Sequence, residues 1–163
     1  KFKTENGAWF MDMGCLHELE EGLLRFQCRI GQAHPFYIAT KKSDVNTKDY
    51  DIKIYEGDEL EQFRGDERFG EGIGAYKDGR LLGMAGATSD SDRMWQIGIN
   101  VMPEAEGLGI GTMLVAAIKN EILDKNRLPF YGTAMSHIAS QRVALGAGFV
   151  PAWSELYCEA IER

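Results

Sequence analysis

Cysteine and histidine are scarce in this chain, and long apolar runs are absent. Its 163 residues include three cysteines and three histidines. Cys15, Cys28 and Cys158 form an odd, irregularly spaced set, which argues against a secreted disulfide scaffold and for a reducing, cytoplasmic setting. No apolar stretch approaches the roughly 18 residues that a membrane span requires, so no membrane partner is expected. Basic charge is also short, with 18 Lys and Arg against 25 Asp and Glu, a formal net charge of −7. The only basic run, Lys41–Lys42, is too brief to follow a phosphate backbone, so nucleic acid is not the expected partner. The first residues read as no secretory leader, and a start at Lys1 rather than Met is what a trimmed chain looks like.

What is present suffices for one ordinary folded domain, with 44% hydrophobic and 26% charged residues. Cys15, His17, Cys28 and His34 could be written as four zinc ligands. However, Cys15–Ile30 reads as a helix with Leu16, Leu19, Leu23, Phe26 and Ile30 on one face. That would hold Cys15 and Cys28 roughly 19 Å apart, too far to share one ion, so no metal is expected.

Further along, Phe36–Thr40 and Asp51–Tyr55 read as strands, and Gly57–Phe69 as a helix. Lys77-Asp78-Gly79 is a hairpin turn between the strands Gly72–Tyr76 and Arg80–Thr88. Arg93–Val101 is a third strand of the same antiparallel meander. Then come a helix over Gly109–Lys125, a strand over Pro129–Thr133, and a helix over Ser136–Leu145 capped by Ser136. A last strand or hairpin spans Phe149–Ile161. The fold class is therefore α/β of the α+β kind: an antiparallel meander, then strand-helix-strand-helix-strand, whose central crossover makes two strands parallel.

The most informative stretch joins the third strand to the long helix. Residues 101–112 read Val-Met-Pro-Glu-Ala-Glu-Gly-Leu-Gly-Ile-Gly-Thr. Glycines at a helix N-terminus let an anion approach unpaired backbone N–H groups, so the segment is a phosphate cradle. The spacing Gly107-x-Gly109-x-Gly111 fits neither the dinucleotide fingerprint G-x-G-x-x-G nor the nucleoside triphosphate loop, which needs a Lys after its glycines.

Val101-Met102-Pro103 followed by Glu106-Gly107-Leu108-Gly109-Ile110-Gly111 resembles the acetyl-coenzyme A signature of the GNAT N-acetyltransferase superfamily, Q/R-x-x-G-x-G/A. The resemblance extends through Ser136-His137-Ile138-Ala139-Ser140 to Gly148-Phe149, and Met94–Leu156 looks like bacterial members of the superfamily. It implies a mixed sheet and acetyl transfer from acetyl-CoA to an amine of a small molecule or peptide. It further implies that the amides of Gly107, Leu108, Gly109, Ile110, Gly111 and Thr112 hold the pyrophosphate. Ile99 and Val101 would offer backbone groups to the pantetheine arm, and Ser136 and Ser140 would lie near the pantetheine and sulfur. Residues 71–163 would form the acetyl-CoA-binding core, and residues 1–70 a segment partly flanking the acceptor groove, in one compact domain.

The chain departs from the pattern at two positions. Glu106 stands where the family has Gln or Arg, and Ala144 stands where it often has a general-acid tyrosine. His137 is then a candidate base, because an imidazole titrates near neutral pH, with Ser136 beside it, and Tyr131 is a candidate acid. Trp95 and Gln96 lie on the strand bordering the acceptor groove. The acids of Glu56–Glu71 would draw in a cationic amine, or else form a solvated helix face. The alternative to catalysis is a non-catalytic acyl-CoA-binding regulatory module. The family usually ends with two strands after Gly-Phe, yet 14 residues follow Phe149. The last strand is thus absent, short, or exchanged with a partner chain, and an exchange would make a homodimer.

Overall fold

Residues 11–47, 49–56, 59–60, 69–89 and 91–161 are described in a computed structural model, with residues 69 and 70 described by their backbone alone. The meander forms from alternating patterns broken at tight turns. Strand β3 (Phe69–Lys77) and strand β4 (Arg80–Thr88) are joined by Asp78-Gly79, both with positive φ, as a two-residue hairpin loop demands. Strand β5 (Met94–Val101) follows antiparallel to β4, and strand β2 (Asp51–Tyr55) flanks β3.

Helix α2 (Ile110–Asp124) packs on this sheet because its apolar residues recur every three to four positions. Leu114, Ile118 and Ile122 are fully buried, against Ile73, Ala75, Ala85, Ala87 and Ile97 of the strands. Alanines on β3 and β4 let the helix come close, and each buried Leu or Ile contributes about 1.5–3 kcal/mol. Strand β6 (Leu128–Gly132) then runs parallel to β5, as a crossover connection requires. Helix α3 (Ile138–Gly146) and strand β7 (Val150–Ala160) complete the described chain, after helix α1 (Met13–Leu24) and strand β1 (Cys28–Ile38) at its start.

The seven strands form one mixed sheet in the order β2-β3-β4-β5-β6-β1-β7. The place between β6 and β7 is filled by β1 from the same chain, with Tyr37 opposite Tyr131 and Phe36 opposite Gly132. The Phe36 ring lies over Gly132, where any Cβ would clash with it. Phe36 also stacks on Trp153, with ring centroids 4.9 Å apart. One strand, β7, follows Phe149, and β1 stands between it and β6.

Two compact units are present, 35–153 and the pair 1–34 with 154–163. In the second, Arg29 pairs with Glu159 at 2.7 Å, and the rings of His34 and Tyr157 lie 4.9 Å apart. Helix α1 buries none of its residues.

Three sequence expectations change. The helix predicted over Cys15–Ile30 ends at Leu24: Gln27 turns the chain with φ 56, and Cys28–Ile30 belong to β1. Phe26 is 76% exposed rather than inward-facing, since apolar spacing happened to continue past the turn. Cys28 therefore does not share a helix with Cys15, and the helical separation does not apply. Among the described residues no group of three or more His, Cys, Asp and Glu could hold a metal ion. The strand predicted to begin at Phe36 begins at Cys28, His34-Pro35 being absorbed within it. Most of the helix predicted over Gly57–Phe69 lies outside the described residues, and Phe69 itself belongs to β3. No described helix is long and apolar enough to cross a membrane.

Candidate active site

The site starts where β5 and β6 part. Met94, Trp95 and Gln96 pair with Leu128, Pro129 and Phe130, and there the ladder stops. Strand β5 continues to Val101 against β4 alone, with Ile97 opposite Ala87 and Val101 opposite Gly83. Strand β6 stays with β1 on its other side, leaving an open wedge between the two parallel strands. The Leu128 N–H donates to the Arg93 carbonyl at 2.8 Å, which fixes the odd-numbered residues of β5 as those whose backbone groups face β6. Beyond the last pair these include Ile99 and Val101, the two residues expected to offer backbone hydrogen bonds.

The N-terminus of α2 stands at the mouth of this wedge. A 3₁₀ turn over Pro103–Ala105 leads into Gly107 (φ 76) and Gly109 (φ 80). Both are left-handed backbone positions that favour glycine. The first helical bond runs from the Met113 N–H to the Gly109 carbonyl at 3.0 Å. The N–H groups of Ile110, Gly111 and Thr112 precede it and have no acceptor within the helix. No acidic side chain occupies that first turn, and no side chain caps it. Gly111 is required for a different reason: a Cβ there would lie 3.3 Å from Cγ2 of both Val101 and Val143. Its lack of a side chain lets β5, α2 and α3 converge.

The cleft so formed has a volume of about 820 Å³. Its walls are residues 97–101 of β5, 105–107 and 109–112 around the helix start, 131 and 132 of β6 with Thr133 after it, and His137, Ala139, Ser140, Arg142 and Val143. Most of the predicted site residues thus meet in one place: Ile99, Val101, Gly107, Gly109, Ile110, Gly111, Thr112, Tyr131, His137 and Ser140. Leu108 and Ser136 are not among the lining residues. The Leu108 side chain is 61% exposed. Ser136 is exposed, and it is not the helix cap: α3 starts two residues later with His137 as its N-cap, and the Ser136 carbonyl accepts from the Ile138 N–H at 3.0 Å. A short turn absorbs residues that the pattern assigned to the helix.

Polar side chains at the inner end of the cleft are tied together. The Tyr131 and Ser140 hydroxyls lie 2.7 Å apart. Tyr131 is 2% exposed, and burial pushes its hydroxyl above the usual tyrosine range while the Ser140 bond draws it back. Behind it the Tyr37 hydroxyl donates to Gln141 at 3.2 Å, and the Gln141 amide donates to the Met135 carbonyl at 2.7 Å. These bonds fix the first turn of α3 against β1. Ala144 is fully buried in the core and lines no part of the cleft.

Several residues expected near the acceptor groove have partners elsewhere in the structure, while most of the acids of Glu56–Glu71 lie outside the described residues. Glu71 does not stand on a solvated or groove-facing surface; it is 2% exposed, with Lys125 Nζ at 3.1 Å. Burial pushes its carboxyl up, partly offset by Lys125. Lys125 also lies 5.8 Å from the centre of the Trp95 ring, so Trp95 belongs to this charged cluster. Glu59 pairs with Lys53 at 3.0 Å. Arg142 and Thr133 are lining residues that the sequence reading missed. The signal for Arg142 was the i, i+3, i+4 spacing of Ala139, Arg142 and Val143, which puts all three on one helix face.

Residues 33–149 match the Acetyltransferase (GNAT) family. Solved structures share the fold. A GNAT-family protein from Novosphingobium aromaticivorans superposes with a TM-score of 0.64 at 17% identity, over 81% of this chain and 66% of that one. A GCN5-related N-acetyltransferase from Sphaerobacter thermophilus gives 0.66 at 10% identity, over 90% and 57%. A tandem GNAT protein from the clavulanic acid biosynthesis pathway gives 0.59 at 16% identity, over 83% and 57%. The chain therefore spans about three fifths of the length of these structures. No curated protein sequence matches it. With the matched segment covering most of the chain, and the wedge and glycine-rich helix start inside it, the chain belongs to the GNAT acetyltransferase family.

Proposed function

We propose that this protein is an acetyl-CoA-dependent N-acetyltransferase acting on an amine of a small molecule or peptide. The observation that carries the reading is the meeting of an open strand wedge with unpaired helix amides in one cleft of about 820 Å³. The amides of residues 107–112 would hold the pyrophosphate, and the free edge of β5 at Ile99 and Val101 would hold the pantetheine arm as an added strand does. Acetyl-CoA supplies an activated acyl group. The amine nitrogen attacks the thioester carbonyl, the carbon–sulfur bond breaks, and the amine loses a proton while the thiolate gains one.

His137, exposed at the rim of the cleft, is the proposed acceptor of the amine proton. Ser140, backed by Tyr131, is the proposed donor to the thiolate, in place of the tyrosine that Ala144 replaces. The motif run over Met94–Leu156 supports a bacterial-type member of the family. Three free cysteines favour a reducing, cytoplasmic setting. A homodimer remains a proposal that a solution mass would test.

The test is release of free CoA from acetyl-CoA over a panel of small-molecule and peptide amines. Amine-dependent release that falls in Tyr131→Phe and Ser140→Ala supports the reading. Tight acetyl-CoA binding without turnover on any amine would favour the non-catalytic acyl-CoA-binding module, a reading that the buried Ala144 supports.

A further inference from the structure

Glu106 and Arg142 line the same cleft from different elements, Glu106 from the turn before α2 and Arg142 from α3. Glu106, exposed beside the helix start, stands where the family signature has Gln or Arg and so brings no cation to the phosphate cradle. Arg142 comes from α3, on the helix face shared by Ala139 and Val143. That face abuts the first turn of α2: Val143 Cγ2 lies 3.3 Å from where a Gly111 Cβ would be. One turn on, Thr112 Cγ2 lies 3.0 Å from where a Gly146 Cβ would be. Both contacts lie on the α3 face that carries Arg142, Val143 next to it in sequence and Gly146 one turn on, so this face packs against the first turn of α2. Arg142 is exposed and makes no hydrogen bond or ion pair with any described residue. Lys119 and Lys125, by contrast, are both engaged on the other half of α2. A guanidinium is suited to this task because its planar fork can give two parallel bonds to one phosphoryl group.

We infer that Arg142 is the phosphate-binding cation of this cleft, supplying from α3 the charge that Glu106 does not supply from the cradle. The assignment rests on the proposed acetyl-CoA-dependent function. It names a ligand chemistry, the phosphoryl groups of the cofactor, which are of two kinds: the pyrophosphate and the 3′-phosphate of the ribose.

The experiment compares the wild type with Arg142→Gln by calorimetry against acetyl-CoA and acetyl-3′-dephospho-CoA, and by turnover with phosphate-free S-acetylpantetheine. Arg142 is exposed, and the urea midpoint of the variant checks that the fold is retained. The expected result is an acetyl-CoA affinity lowered about 10- to 100-fold, the range for loss of a charge-assisted bond, with S-acetylpantetheine turnover unchanged. An equal loss for the dephospho form places Arg142 on the pyrophosphate; a loss confined to acetyl-CoA places it on the 3′-phosphate. The double variant Glu106→Arg with Arg142→Gln should recover to within about threefold of the wild type, since the charge is restored from the turn before α2. Unchanged acetyl-CoA affinity in Arg142→Gln, or an equal loss with S-acetylpantetheine, would overturn the assignment while leaving the proposed function standing. A wild type that binds no acetyl-CoA would overturn both.

Discussion

The two ends of α2 treat polar groups in opposite ways. At its start, three backbone N–H groups face a cleft with no acceptor in the helix, and glycines keep side chains away from them. Toward its end, charge is buried but engaged. Lys119 is fully buried, donating to the Ala147 carbonyl at 2.8 Å and to the Ser43 hydroxyl, and Asn120 holds the Ser43 backbone on both sides. Lys125 reaches Glu71. At the first end polarity is left open to a cleft; at the second it ties the chain together, except that the buried Glu71 Oε2 has only its ion pair with Lys125 and no hydrogen bond. Substitutions at the first end should therefore change ligand affinity with little effect on stability, and substitutions at the second should do the reverse.

The largest effect is expected from Gly109→Trp. No atom lies within 4 Å of a Cβ at this position, so the indole would fill the cradle. Acetyl-CoA affinity should fall by more than about 100-fold, while the φ of +80 adds about 1–2 kcal/mol of strain. Binding retained by this variant would dissociate the helix start from the ligand. Next, Tyr131→Phe keeps the buried ring and removes one hydroxyl. Turnover should fall about 10- to 100-fold with acetyl-CoA affinity unchanged; unchanged turnover would strip the Tyr131–Ser140 pair of its proton-donor role. At the other end of α2, Lys119→Met should lose about 1–3 kcal/mol by urea titration and leave acetyl-CoA affinity alone. A gain in stability would mean that the buried ammonium is a burden rather than a tie.

The smallest effect is expected from Glu71→Gln and is read through pH. Burial raises the folded carboxyl above its ordinary 4.5, so the folded chain holds this proton more tightly than the unfolded chain does. The associated stability is present below the unfolded value and is lost as pH rises through the folded value. The variant should remove that loss, its stability curve lying above that of the wild type by about 1 kcal/mol or less once Glu71 ionises. Coincident curves would show that Lys125 compensates the charge in full.

Local chemistry made much of this legible in the sequence. Asp78-Gly79 announced its hairpin through backbone demands alone, and Gly107 and Gly109 announced the cradle in the same way. The parallel pairing of β5 with β6 followed from the length of the connecting helix. The place of β1 between β6 and β7 was not legible, because strand partners far apart in sequence leave no local pattern. Glu71 was read with the acidic run that precedes it in sequence, whereas its neighbour in space is Lys125. Arg142 was passed over because its spacing with Ala139 and Val143 shows which residues share a helix face, not that this face lines the cleft.

The position of β1 also sets the order in which the chain can fold. Its residues leave the ribosome ahead of both strands they pair with, β6 and β7, and Tyr37 finds Tyr131 only after β2 to β5 and α2 have been made. Closing that loop is a long-range event that lowers the folding rate. The meander with α2 is built from nearer neighbours and can form first. Until that loop closes, the edge of β6 and the strand β1 are both unpaired, which makes the chain most prone to wrong strand pairing in that interval.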